Sequence, residues 1–264
     1  MSTPLGTALI TGASTGIGAV YADRLARRGY NLILVARDAA RMETLAGRLR
    51  AETGVTVEVL RADLTADADL TAISERLAGD AAITLLVNNA GMSLNGSLLE
   101  NGPEKIRQLL ALNITAPTLL QAAAGKAFVA RGKGAVINIA SALAFAPEMF
   151  DAIYSGTKAF LLNLSIGSAA QWKDKGLYVQ AVLPGATRTE IWERSGKDVD
   201  AFPPEMVMSA DDLVDAALVG FDRGETVTIP PLPDEGQYDA LNEARAAMGP
   251  NLSKRDVAER YRAA

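Results

Sequence analysis

With 264 residues, 49% of them hydrophobic and 22% charged, the chain can bury a full core and does not have the composition of a disordered protein. A formal net charge of −5 and the lack of a basic stripe argue against a nucleic-acid partner. The chain has no Cys and no His, which excludes disulfides, thiolate zinc sites, iron–sulfur clusters and any triad built on imidazole. No EF-hand-like loop is present, and no metal is expected. Met1–Gly6 lacks a basic n-region, and no stretch reaches the ~20 apolar residues of a membrane span. The expectation is a cytoplasmic protein with no membrane partner.

Short β-type runs alternate with helix-length segments. Thr7–Thr11 reads as a strand, followed by a helix over Gly16–Arg28. Asn31–Ala36 (NLILVA) is almost continuously apolar, as in a strand covered on both faces. Asp38 is placed to cap a helix running to Glu52. Val55–Leu60 is the third strand and Asp67–Ala78 a helix; Ile83–Val87 is the fourth strand. Helices over Pro103–Leu112 and Thr115–Arg131 precede a fifth strand, Ala135–Ala140. A long helix covers Ala152–Asp174, Leu177–Leu183 is the sixth strand, and Val227–Ile229 is a short last one. Ser195–Met208 reads as loop. This alternation predicts an α/β, Rossmann-like doubly wound parallel sheet, with ligands beyond the carboxyl ends of the strands. Residues 1–264 read as a single dinucleotide-binding and catalytic domain. Residues 230–264 form its helical C-terminal extension, with helix-like spacing over Gln237–Met248 and Ser253–Tyr261.

Thr11-Gly12-Ala13-Ser14-Thr15-Gly16-Ile17-Gly18 joins the first strand to the first helix. Glycines there let backbone approach a pyrophosphate, and the helix N-terminus offers free N–H groups. The spacing is G-x-x-x-G-x-G, and no P-loop signature is present. At the end of the second strand, Val35-Ala36-Arg37-Asp38, the position where an acidic residue would grip an NAD ribose holds Ala36. Arg37 follows, and its guanidinium suits a 2′-phosphate. The competing readings are a solvated Arg37 beside a capping Asp38, or Asp38 on the ribose. NADP(H) is the expected cofactor, in preference to NAD(H).

Tyr154 and Lys158 lie four positions apart on one helix and so share a face. An ammonium beside a phenol stabilises the phenolate and lowers its pKa, allowing proton transfer without His. Such pairs also occur as ordinary surface neighbours. Here Ser141 ends the fifth strand, Asn88-Asn89-Ala90-Gly91 the fourth, and Pro184-Gly185 the sixth, with Thr187 and Thr189 just beyond. Asn113 lies in the helical region between. All converge on one rim of the sheet.

In this order, Thr11–Gly18, Asn88–Gly91, Asn113, Ser141, Tyr154/Lys158 and Pro184-Gly185 resemble the short-chain dehydrogenase/reductase family over about the first three quarters of the chain. The resemblance implies reversible hydride transfer between a nicotinamide and a carbonyl or alcohol carbon. It implies Tyr154 as acid/base, Lys158 lowering the Tyr154 pKa and binding the nicotinamide ribose, Ser141 polarising the substrate oxygen, and Asn113 holding a water in a relay through Lys158. Gly12, Ser14, Gly16, Ile17 and Gly18 would contact the phosphates, and Asp63 and Leu64 would flank the adenine. Asn89 and Gly91 would support the middle of the cofactor, while Pro184, Gly185, Thr187 and Thr189 would lie toward the nicotinamide. A homodimer or homotetramer is also implied.

Leu143, Phe145, Ala146, Met149 and Phe150, with Met92, Leu94, Trp192, Met206 and Met208, suggest a largely apolar substrate pocket; ordinary packing explains them equally well. Glu148, Asp151, Glu190 and Glu193 would make its entrance acidic. A non-catalytic redox sensor has no use for the proton-transfer group, and a sugar-nucleotide epimerase fits a longer chain.

Overall fold

A computed structural model describes residues 5–262. Two compact units divide at Pro230/Pro231. The first holds a seven-stranded, wholly parallel sheet in the order β3-β2-β1-β4-β5-β6-β7. The strands are β1 Thr7–Thr11, β2 Asn31–Ala36, β3 Val57–Arg61, β4 Ile83–Asn88, β5 Gly134–Ile139, β6 Leu177–Val182 and β7 Val227–Thr228. Between them run α1 Gly16–Arg27, α2 Ala39–Thr53, α3 Asp67–Gly79, α4 Pro103–Leu110, α5 Ala116–Arg131, α6 Ala152–Trp172, α7 Ile191–Arg194 and α8 Ala210–Arg223. The doubly wound α/β sheet expected from the sequence is the fold found.

Alternation along the central strands explains the two layers of helices. Ala8 and Ile10 of β1 and Leu32 and Leu34 of β2 face one side, where they pack with Tyr21, Leu25, Met42 and Leu49 of α1 and α2 and Val214 of α8. Leu9, Ile33 and Val35 face the other, against Leu70, Ile73 and Leu77 of α3 and Leu120 and Phe128 of α5. Every residue of β1 is buried, Thr7 and Thr11 at its ends included, so neither face of this strand meets solvent. Strand order reverses between β1 and β4, which opens a crevice at their carboxyl ends.

Local chemistry sets several boundaries. Asp38 caps α2 as expected, Oδ1 accepting from the Arg41 N–H at 3.0 Å. The third strand begins at Val57, not Val55, because pairing with β2 starts at Leu32↔Val57, and it extends to Arg61 opposite Ala36. The helix expected over Pro103–Leu112 ends at Leu110 and continues as a π turn, Ala111–Thr115, that carries Asn113. β5 stops at Ile139, and Ser141 begins a short 3₁₀ turn instead of ending the strand. Ser195–Met208 contains two 3₁₀ turns, Val199–Ala201 and Pro204–Met206.

The second unit contains α9, Gly236–Met248, matching the expected Gln237–Met248. The helix expected over Ser253–Tyr261 does not form; only Glu259–Tyr261 makes a 3₁₀ turn. All nine residues of that span are exposed, so its helix-like spacing has no buried face to stabilise a helix. No helix among the described residues is long and apolar enough to cross a membrane.

Candidate active site

The crevice at the reversal of strand order is a cleft of about 880 Å³, within the range of small-molecule and cofactor sites. Its centre is the turn after β1. Gly12 and Gly16 adopt φ of 66° and 54°, conformations that cost other residues strain. A Cβ on Gly12 would lie 2.7 Å from Asn89 Nδ2, and one on Gly18 would lie 2.4 Å from the Gly12 carbonyl oxygen. The N-terminus of α1 has no side-chain cap and no acidic residue in its first turn, leaving its N–H groups available to an anion. This cradle fits a cofactor diphosphate.

Thr11 and Asn89 hold the β1 and β4 turns together. Thr11 Oγ1 donates to the Val87 carbonyl at 3.3 Å and accepts from the N–H groups of Asn89 and Ala90, each at 3.0 Å. Asn89 Nδ2 donates to the carbonyls of Thr11 and Gly12 at 2.9 and 3.2 Å. Asn89 therefore shapes the turn through hydrogen bonds to the chain itself. Thr11 is a positioning residue that the sequence reading passed over, since its partners lie 76 to 79 positions away.

At one end of the cleft, Arg37 and Arg61 are exposed lining residues without an ion-pair partner among the described residues. They are neighbours because Ala36 pairs with Arg61 across β2 and β3. Arg61 was not anticipated; the pairing register that places it cannot be read from either strand alone. Asp63 accepts from the N–H and hydroxyl of Thr65 at 3.0 and 2.7 Å. The bond from the Thr65 backbone is the main cause holding its carboxyl below the usual range, with Arg37 and Arg61 assisting. Leu64 is buried beside it. Glu190, also a lining residue, accepts from Arg41 Nη1 at 2.8 and 2.9 Å and from Arg194 Nη2 at 2.6 Å. It is not a free acidic group at the entrance.

At the other end, Ser141 and Tyr154 face the cleft beside Pro184 and Gly185. Ser141 Oγ accepts from the Leu143 N–H at 3.2 Å and lies in hydrogen-bond contact with the Tyr154 phenol. Lys158 Nζ donates to the Ile139 carbonyl at 2.8 Å and sits 5.6 Å from the Tyr154 ring centroid. Burial pushes the Tyr154 phenol up to about 12, partly offset by Ser141. It pushes the Lys158 ammonium down to about 8. Desolvation is the dominant cause for both groups. Tyr154 keeps some solvent contact through the cleft.

Asn113 is buried in the π turn, a feature that often marks functional sites. Its Oδ1 accepts from the Met92 N–H at 2.9 Å, and its Nδ2 donates to the Met92 carbonyl at 2.9 Å and to Thr157 Oγ1 at 3.1 Å. Pro117, four residues on, has no N–H to return to the Asn113 carbonyl. Gly12, Ser14, Gly16, Ile17, Arg37, Asp63, Leu64, Asn89, Gly91, Ser141, Tyr154, Pro184, Gly185, Thr187 and Thr189 all line the cleft. Gly18, Asn113 and Lys158 stand behind its wall: Gly18 packs on Gly12, and the other two lie behind Gly91.

After β6 the chain makes an excursion closed at its base by a bridge between Thr187 and Met208. Trp192 Nε1 donates to the Thr187 carbonyl at 2.8 Å. The Trp192 ring packs on Phe150 and Phe202 at centroid distances of 6.0 and 5.1 Å, and Phe150 meets Tyr154 edge-on at 6.2 Å. Asp151 is buried, not an entrance acid; its Oδ1 caps α6 by accepting from the Ile153 N–H at 2.9 Å.

A parallel sheet with a glycine cradle at its switch point, and with Ser141, Tyr154 and Lys158 toward the same rim, is the arrangement of a dinucleotide-binding α/β fold of the short-chain type. Residues 6–200 match the family model described as short chain dehydrogenase, and the chain belongs to that family. It is similar to a short-chain dehydrogenase from Sphingobium yanoikuyae in complex with NADPH, at 54% identity over 98% of this chain and 100% of that one, TM-score 0.95. It is also similar to a bulky-bulky ketone specific alcohol dehydrogenase from Comamonas testosteroni, at 49% identity over 98% and 99% of the two chains, TM-score 0.91. Human 17-beta-hydroxysteroid dehydrogenase type 3 matches at 36% identity over 186 residues, 70% of this chain but 60% of that protein. The chain thus spans about three fifths of that relative's length.

Proposed function

We propose that the chain is an NADP(H)-dependent oxidoreductase interconverting a ketone and an alcohol on a small, largely apolar substrate. The observation that carries this reading is the Ser141–Tyr154–Lys158 group at one end of a cleft whose lining also holds the α1 N-terminus and Arg37 and Arg61, guanidinium groups with no ion-pair partner among the described residues. The NADPH of the Sphingobium relative and the ketone specificity of the Comamonas relative support it. The bound cofactor supplies or accepts the hydride.

The chain's own residues do the rest. Ser141 and Tyr154 line the same end of the cleft, where both would reach the substrate oxygen. In reduction, Tyr154 gives its proton to that oxygen as the carbon receives hydride, which completes the alcohol. A phenol held near 12 stays protonated at neutral pH and is suited to this direction. Lys158 supplies positive charge behind Tyr154, which stabilises the phenolate left after proton transfer. Arg37, with Arg61, would hold the 2′-phosphate that distinguishes NADP(H), Asp63 and Leu64 would border the adenine, and Gly12, Ser14, Gly16 and Ile17 would border the diphosphate. Residues 230–264 are read as an extension of the same domain, and the assembly as a homodimer or homotetramer.

Steady-state assays with a panel of ketones, using NADPH and NADH in parallel, test the reading. Turnover with NADPH well above NADH is expected. Tyr154→Phe should lower kcat by about 10³-fold and leave NADPH binding nearly intact, read by cofactor fluorescence. Near-normal turnover in that variant, or preference for NADH, would overturn the assignment.

A further inference from the structure

We infer that Thr157, between Tyr154 and Lys158 on α6, is a positioning residue for proton transfer: its hydroxyl ties the start of that helix to Asn113 and so fixes where Tyr154 and Lys158 stand. The inference rests on the oxidoreductase reading and adds to its machinery a residue that does not itself face the cleft.

Thr157 is only 1% exposed and is not among the residues lining the cleft. Its Oγ1 donates to the Tyr154 carbonyl at 2.7 Å and accepts from Asn113 Nδ2 at 3.1 Å. A hydroxyl has one proton; the Tyr154 carbonyl takes it, and a lone pair is left for Asn113. A threonine inside a helix commonly returns its hydroxyl to a carbonyl one turn back, and that bond alone would be ordinary. The second bond is different, because it crosses from α6 to a turn 44 positions earlier in the chain.

The far side of that bond is fixed independently. Asn113 Oδ1 accepts from the Met92 N–H and Nδ2 donates to the Met92 carbonyl, each at 2.9 Å. Turning the amide over would set donor against donor and acceptor against acceptor, so Met92 dictates its orientation. The remaining N–H of Nδ2 goes to Thr157, which completes the two donors of the amide. Met92 itself lines the cleft. The cleft wall, the π turn and α6 are thus joined in order through Met92, Asn113, Thr157 and the Tyr154 backbone. Asn113 and Lys158 also flank one small residue: a Cβ on Gly91 would lie 3.4 Å from Asn113 Oδ1 and 3.6 Å from Lys158 Nζ.

Removing the hydroxyl leaves a buried N–H of Asn113 unpaired, which is costly. Relief comes from a shift between the π turn and α6, and that shift moves Tyr154 and Lys158, one turn apart on the same face, relative to the cleft wall. Proton transfer depends steeply on such placement. The glycine turn and the α1 N-terminus are not part of this chain of bonds, so the loss falls on kcat more than on NADPH affinity.

Three variants of the cofactor-loaded enzyme separate the hydroxyl from its volume. Thr157→Val keeps the shape and loses the hydroxyl, Thr157→Ser keeps the hydroxyl and loses a methyl group, and Thr157→Ala loses both. Val and Ala should lower kcat for ketone reduction by on the order of 10–10²-fold, with KM and NADPH affinity little changed. They should also move the midpoint of the pH profile of alcohol oxidation upward, because a displaced Lys158 stabilises the Tyr154 phenolate less well. Ser should recover most of kcat and the wild-type midpoint. A packing role alone gives the reverse order, with Val the mildest variant and the midpoint unmoved, and that result would overturn the inference. Ser against Ala makes the same comparison if Val does not fold. Added to Asn113→Ala, Thr157→Val should cost little more; full additivity would refute the route through Asn113. Hydrogen exchange at the Met92 N–H reads the tie without turnover, and should be faster in Val and restored in Ser. That exchange pattern in an enzyme that turns over no ketone or alcohol would sink the oxidoreductase reading and leave the tie standing. Normal turnover that is indifferent to all three variants would do the reverse.

Discussion

The two halves of the sheet are packed by different rules. Around β1 and β2 the strands themselves present mainly aliphatic side chains to both layers of helices. Around β4 and β5 the core carries amides. Asn88 Nδ2 donates to Asn138 Oδ1 at 3.0 Å, and Asn138 Nδ2 donates to Gln121 Oε1 and Ser165 Oγ at 2.6 and 2.8 Å. Gln121 Nε2 donates on to Ser168 Oγ at 2.8 Å. This chain ties β4, β5, α5 and α6 together beneath Asn113 and Lys158. Aliphatic packing tolerates small shifts, whereas a hydrogen-bonded network fixes the angle and register of α6. The half that carries Tyr154 and Lys158 uses the more exacting material.

The largest test of this contrast is Leu34→Ala. Leu34 is fully buried in the aliphatic half, and its truncation should cost about 2–5 kcal/mol in chemical denaturation while kcat changes little. Asn138→Ala should cost less in stability, about 1–3 kcal/mol, yet lower kcat clearly, because Gln121, Ser165 and Asn88 lose a shared partner. If both variants behaved alike in activity, the two halves would not differ in function.

Lys158 sharpens the comparison through pH. Its ammonium is held near 8 in the folded chain against an ordinary 10.5. From pH 8 to 10.5 the unfolded chain binds more protons than the folded one, so this group adds stability as pH rises. Lys158→Met lacks that gain. Its stability relative to wild type should therefore fall between pH 7 and 10, by on the order of 1–3 kcal/mol; parallel pH profiles would refute this. The smallest effect belongs to Tyr21, buried in the aliphatic half with its hydroxyl unpaired. Burial pushes that phenol above its ordinary value, and Tyr21→Phe should raise stability by about 1 kcal/mol, measurable as a higher Tm.

The same division governs what the sequence revealed. The aliphatic strands were legible because Asn31–Ala36 and Thr7–Thr11 carry their burial in their own composition. The cleft was legible because its glycines, Ser141, Tyr154 and Lys158 stand in a recognisable order. What depended on pairing between distant segments was hidden. Arg61 reaches the cleft through register with Ala36, Thr11 through partners on β4, and the amides through contacts 17 to 50 positions apart. Pro117 was a visible trace of the π turn at Asn113, but a helix-length apolar stretch around it concealed the irregularity. The failed helix at Ser253–Tyr261 shows the opposite error, periodicity without anything to pack against.

Among the described residues Arg37 and Arg61 are held by no ion pair, while a methyl group on Gly12 or Gly18 would collide with Asn89 or with the Gly12 carbonyl. On the proposed reading, cofactor choice would rest on exposed side chains at the ends of β2 and β3, which can change without disturbing the fold, whereas the turn beside them allows almost no drift.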